Sequence, residues 1–94
     1  MKKYYITTYT KQKAKELRVK VKPSNNLKYK LDVFDLEGNY ILSCGANGYS
    51  DYPTYINEQG LEYANKRRKL YKQRHSKDRN VRGSRGWYSD NLLW

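Results

Sequence analysis

The sequence predicts an α+β domain, with a small antiparallel sheet of three or four strands followed by one basic helix and an ordered C-terminal arm. Three observations carry that expectation. Apolar and polar residues alternate in two stretches of the first half, the period of a strand with one face buried. From residue 58 to about 77 the spacing changes to threes and fours, the period of a helix. After Gly86 the run of positive charge stops, and the chain closes with two Trp, one Tyr and two Leu, more apolar surface than a free tail usually carries.

In chain order, residues 4–10 (YYITTYT) are rich in aromatic and β-branched side chains and read as a strand. Residues 11–16 are polar and fit a loop or a short helical turn. Residues 17–22 (LRVKVK) alternate strictly, with Leu17, Val19 and Val21 on one face and cations on the other. Pro23-Ser24-Asn25-Asn26 supplies turn chemistry. Residues 27–35 alternate again, placing Leu27, Tyr29, Leu31 and Val33 together. Leu36-Glu37-Gly38-Asn39 then reverses the chain, and residues 40–44 return as the partner strand. Lys20, Lys22, Lys28 and Lys30 are expected on the solvent face of this sheet, whose span is about 4–44, as a basic surface that binds nucleic acid or another anionic partner.

Residues 45–57 read as a loop, with Gly45, Gly48, Tyr49 and Asp51 as its structural residues. Asp51 is expected to bond backbone amides or an Arg at the start of the helix that follows. The helix, 58–77, carries Leu61, Ala64, Arg68, Tyr71 and His75 on one stripe and Tyr63, Arg67, Leu70 and Arg74 on another. Acids in its first turns and bases in its last suit the helix dipole. Residues 78–94 form the arm. The 94 residues make one domain at most, small enough that core burial stabilises it only modestly. Eleven of its hydrophobic residues are Tyr, whose hydroxyls need partners, so many rings are expected half-buried.

The charge pattern bears on partners. Residues 1–30 carry ten bases and one acid, residues 31–65 carry six acids and no base, and residues 66–94 carry ten bases and two acids. Two basic ends around an acidic middle, with a net charge of +11, point to a polyanion or to acidic neighbours in an assembly. Bases that neutralise phosphates release counterions and bind without sequence preference. Arg67, Arg68, Arg74, Arg79, Arg82 and Arg85 offer planar donors that suit phosphate oxygens. Tyr71, Trp87 and Tyr88 could stack on exposed bases. The same rings, with Leu93 and Trp94, equally suit an interface anchor, since Trp, Tyr and Arg dominate binding hot spots.

Other chemistries find little support. A single Cys, Cys44, allows no internal disulfide and fits a small buried hydrophobe. One His and one Cys do not supply the usual four zinc ligands, so no metal is expected. A Ser50–Asp51–His75 grouping has the residue types of a nucleophilic site but lacks a nucleophile elbow. His75 fits a packed or hydrogen-bonded role better. The glycines of the 45–57 loop lack the spacing of a nucleotide-binding loop. No cofactor, catalytic residue or small-molecule substrate is expected. No stretch approaches the roughly 20 apolar residues of a membrane span, and the N-terminus lacks a hydrophobic signal core.

Three blocks resemble a family. Cys44-Gly45-Ala46-Asn47-Gly48-Tyr49-Ser50-Asp51-Tyr52 resembles the "FGA-x-GYSDYT" segment of small basic proteins encoded by large and giant double-stranded DNA viruses. Residues 67–75 (RRKLYKQRH) are similar to that family's "RK-x-x-Y-x-x-RH" helix, and residues 86–94 to its "G-F-W-S-x-W-L-L-W" ending. Cys44 stands in place of the family's Phe, and Pro53 in place of Thr. The resemblance implies a viral origin and a β-then-α domain, and no defined activity. The expectation is then a non-enzymatic viral protein, a minor capsid or cement-like virion component. The alternative is a sequence-nonspecific DNA-binding protein associated with the genome. Partners would be capsid proteins, DNA or further copies of the chain, without a membrane, in the virion and, during assembly, the host cytoplasm or nucleus.

Overall fold

Residues 11–17 (KQKAKEL) are nearly all strong helix formers, and they draw the preceding Thr-Tyr-Thr into their helix. The computed structural model describes residues 3–94. Its first element, α1 (Thr8–Leu17), starts at Thr7, whose side chain accepts the Thr10 amide at 3.2 Å. The strand expected over 4–10 is therefore not formed. Its β-branched residues serve as the cap and first turn of a helix, and Thr10, Ala14 and Leu17 at spacings of four and three turn inward. Arg18, with φ of 58°, closes α1 in the left-handed region, and its N–H bonds back to Ala14 and Lys15.

Three strands follow: β1 (Lys20–Pro23), β2 (Tyr29–Phe34) and β3 (Tyr40–Ala46), antiparallel with β2 in the centre. The fold is α+β, as the alternation predicts. Val21 faces Val33, and Leu31 faces Cys44. Pro23, which lacks an N–H, ends the edge strand β1, where a missing donor is tolerated. The β2–β3 hairpin turns at Asp35, whose carboxylate accepts the amides of Glu37 and Asn39 at 3.0 and 2.9 Å. Gly38 takes the positive φ of 94° that the turn requires.

The 45–57 loop is shorter than expected, because β3 runs to Ala46 and residues 52–59 are already helical. Asp51 caps α2 (Tyr52–Gln59) by accepting the Thr54 amide at 3.1 Å, and Pro53 sits in the first turn, where no intrahelical donor is needed. Gly60, φ 89° and ψ 165°, then interrupts the helical run. The single helix expected over 58–77 is thus two, α2 and α3 (Leu61–Arg74), followed by a 3₁₀ turn (Asp78–Asn80). Of the Leu61, Ala64, Arg68, Tyr71 and His75 stripe, Ala64 and Tyr71 are buried, while Leu61 lies in solvent.

The 78–94 arm is ordered, and most of it is α4 (Arg85–Leu93), capped by Ser84 on the Trp87 amide. Leu92, Leu93 and Trp94 join Leu31, Val33 and Cys44 in the core. The free edge of β3 is covered by this helix. Arg85 Nε donates to the Ser43 carbonyl at 2.8 Å, and Ser89 Oγ accepts the Gly45 amide at 3.0 Å. Arg85 and Ser89 are one helical turn apart, matching the outward carbonyl and amide of Ser43 and Gly45, so the edge is blocked against further strand addition. Gly45 permits the approach: a Cβ there would lie 2.6 Å from Leu93 Cδ1. Among the described residues no helix is long and apolar enough to cross a membrane.

Candidate nucleic-acid interface

Most cations among the described residues have no carboxylate within ion-pair distance. Among the described residues, the Lys and Arg side chains in ion pairs are Lys30 with Asp51, and Lys72 and Arg79 with Asp90. Helix α3 concentrates the unpaired remainder, because Lys66, Arg67, Arg68, Lys69 and Arg74 fall within nine consecutive residues and so point around the whole helix. Two depressions flank it. One is a shallow groove of about 490 Å³ whose cationic lining is Arg68, Lys69, Lys72 and Arg79. The other is a deeper cleft of about 1070 Å³ between α3, the N-terminus of α4 and the sheet end that carries the 47–50 turn.

The cleft follows from helical spacing. Arg67, Tyr71, Arg74 and His75 lie at i, i+4, i+7 and i+8 on α3 and form one wall. Lys28, Tyr29, Tyr49 and Ser50 line the opposite side, and Arg85 closes one end. Trp94 stacks on Tyr71 with centroids 4.2 Å apart and planes at 8°, and His75 stacks on the other side of Tyr71 at 4.3 Å. Burial, then the nearby Asp90 and Asp78 carboxylates, push the Tyr71 phenol up to about 12, so it stays neutral. His75 Nδ1 lies 3.1 Å from Asp78, whose carboxyl is held below its ordinary range chiefly by that hydrogen bond.

The expected site residues divide by what they touch. Arg67 lies over the Tyr55 ring at 5.5 Å, with a buried Nε that finds no acceptor among the described residues, and Arg68 lies over Tyr52 at 4.6 Å. Arg74 is exposed on the cleft wall, and Arg82 is exposed over Trp87 at 5.7 Å. Lys20, Lys22 and Lys28 are exposed, Lys22 over the Phe34 ring at 5.4 Å. Trp87 and Tyr88 are half-buried and pack edge to face, with centroids 4.9 Å apart.

Three expectations are corrected. Lys30 is 4% exposed and does not belong to a solvent face, because both faces of β2 are covered at this point. It pairs at 2.9 Å with Asp51, which also accepts the Tyr4 hydroxyl at 2.6 Å. Asp51 thus caps a helix as expected, but its counter-ion is a Lys. Arg79 turns to Asp90 at 3.8 Å, and Arg85 gives its Nε to the β3 edge, leaving only its terminal nitrogens for a ligand. Tyr71, Leu93 and Trp94 are core, so they do not form an exposed anchor.

Burial pulls the Asp51 carboxyl upward, but the Lys30 ammonium and bonds from Lys30, Tyr4 and Thr54 outweigh it and hold the group ionised below its ordinary range. The Cys44 thiol is buried and pushed up to about 12 by that burial, as suits a small hydrophobe. Ser50, Asp51 and His75 do not make a relay: Asp51 is engaged by Lys30, Tyr4 and Thr54, and His75 by Asp78. Among the described residues no three His, Cys, Asp or Glu gather as metal ligands.

Lys69, Lys72, Tyr29, Tyr49, Tyr55 and Ser50 line the two depressions but were not singled out by the sequence for partner binding. The 67/71/74/75 spacing was the available signal for the cleft's helical wall. Nothing local marks Asp90 as the partner of Lys72, 18 residues away. No family model matches this chain, and no curated protein or solved structure does either.

Proposed function

We propose that this protein acts by binding DNA without sequence preference, through the cationic surface of α3, as a component of virus particles. The observation that supports this reading is the set of α3 cations with no carboxylate partner. Lys66, Arg67, Arg68, Lys69 and Arg74 project from 14 residues of one helix, and among the described residues none of the five forms an ion pair with a carboxylate, Glu62 of the same helix included. Such a surface gains affinity by releasing counterions from a phosphate backbone. The viral setting is supported by the three sequence blocks alone. A cement-like contact through the C-terminal arm draws less support, because Leu92, Leu93 and Trp94 are committed to the core of their own chain.

The test is duplex binding by fluorescence anisotropy, wild type against Arg68→Ala/Lys69→Ala. The double substitution is expected to weaken binding equally for unrelated sequences and to reduce the log–log salt slope by about 2, one unit per phosphate contact. Unchanged affinity in the variant would overturn the assignment to this surface.

A further inference from the structure

The cleft beside α3 differs in kind from a helix surface that tracks phosphates. A duplex offers a protein its phosphates and base edges, while its base faces are hidden in the stack. Ring platforms are therefore of use chiefly against unstacked bases. The cleft carries such platforms. The Trp94–Tyr71–His75 column runs along its α3 wall and ends at His75, whose side chain is 39% exposed. Across from it Tyr49 stands 76% exposed. Around these rings Lys28, Arg67, Arg74 and Arg85 have no carboxylate partner, and Asp78, the one acid in the lining, is engaged by His75.

From this combination we infer that the cleft binds an unstacked stretch of single-stranded nucleic acid. Arg67 and Arg74 hold its phosphates, and Tyr49 and the end of the ring column take its bases. The inference rests on the reading that the protein binds nucleic acid, and names the form it takes at this site. The volume agrees: about 1070 Å³ lies just above the roughly 300–1,000 Å³ range of small-molecule sites. Positive charge with sequence-tolerant stacking is the general means of gripping a single strand. The 67/74 pair, seven residues apart on α3, spans about 10 Å along the helix, so the two guanidiniums can engage different phosphates of one strand.

The test compares a labelled ten-residue oligothymidylate with a ten-base-pair duplex, on wild type and on Tyr49→Ala. Tyr49 is exposed on a turn, so its substitution leaves the fold intact. The expected result is a loss of about tenfold in oligothymidylate affinity, that of roughly one stacked base, with duplex affinity within about twofold. Arg74→Ala should likewise weaken the single strand. If wild type binds duplex but Tyr49→Ala changes the two ligands equally or not at all, the cleft assignment is wrong and the α3 reading survives. If wild type binds neither ligand at low salt, both readings fail together.

Discussion

Replacing Lys30 by Met tests how much of this fold depends on one buried ion pair. The substitution keeps an unbranched chain of similar length in the same space and removes the ammonium 2.9 Å from Asp51. Asp51 is 0% exposed, so its carboxylate is left without a counter-ion away from water. Breaking a buried pair from one side costs about 3–5 kcal/mol, a large part of the roughly 5–15 kcal/mol that holds a domain together. At about 4–8 °C per kcal/mol for a chain of this size, Tm falls by at least about 12 °C.

The pH dependence changes sign as well. In wild type the Asp51 carboxyl sits below its ordinary range, so its contribution is present above about pH 4 and is lost as pH falls through the folded value. Without Lys30, burial dominates and raises the carboxyl above its unfolded value. The variant then gains stability on acidification from neutrality toward pH 5, while wild type stays level. Urea melts followed by circular dichroism at pH 7, 6 and 5 give both numbers. A variant within about 1 kcal/mol of wild type at pH 7, or parallel pH curves, would refute the claim that the pair holds this end of β2 to the start of α2.

Two further outcomes test the packing of α4. Leu92→Ala, at a fully buried position, should cost about 2–5 kcal/mol in urea unfolding, and a loss below about 1 kcal/mol would mean that the helix does not fill the core. Gly45→Ala should cost clearly more than Gly38→Ala. Both glycines have positive φ, but a methyl at Gly45 meets Leu93 Cδ1 at 2.6 Å, whereas nothing lies within 4 Å of one at Gly38. Equal shifts in Tm would refute the close approach of α4 to the β3 edge.

What the sequence reveals here divides by distance along the chain. The β2–β3 hairpin is legible because its signals are local: alternation on both sides, Asp35 to accept turn amides and Gly38 to take a positive φ. The cap at Asp51 is legible for the same reason. The first helix is misread because β-branched residues favour strands on average, while Thr7 here works as a helix cap. The break between α2 and α3 is visible in Gly60, a glycine after the last turn of a helix, but the charge gradient across 58–77 hides it. Lys28 and Lys30 look alike in sequence. Alternation assigns them to one face and says nothing of what covers it, and only Lys30 lies under Asp51 and Tyr4. Arg82 and Arg85 are equally alike, yet only Arg85 lies one turn before Ser89 against a strand edge. The site was legible as a basic, aromatic stretch, and the cleft was not, since its walls come from residues 28–55 and 67–94.

The most direct measurement is the salt dependence of wild-type binding to a random-sequence duplex. The three unpaired α3 cations outside the cleft, Lys66, Arg68 and Lys69, predict a log–log slope near −2.7 if they engage phosphates, at about −0.9 per contact. A slope of that size would mean that the helix meets the DNA backbone with most of its free charge. A slope near zero, or no binding at low salt, would contradict the account and leave the cationic surface of α3 without a nucleic-acid partner.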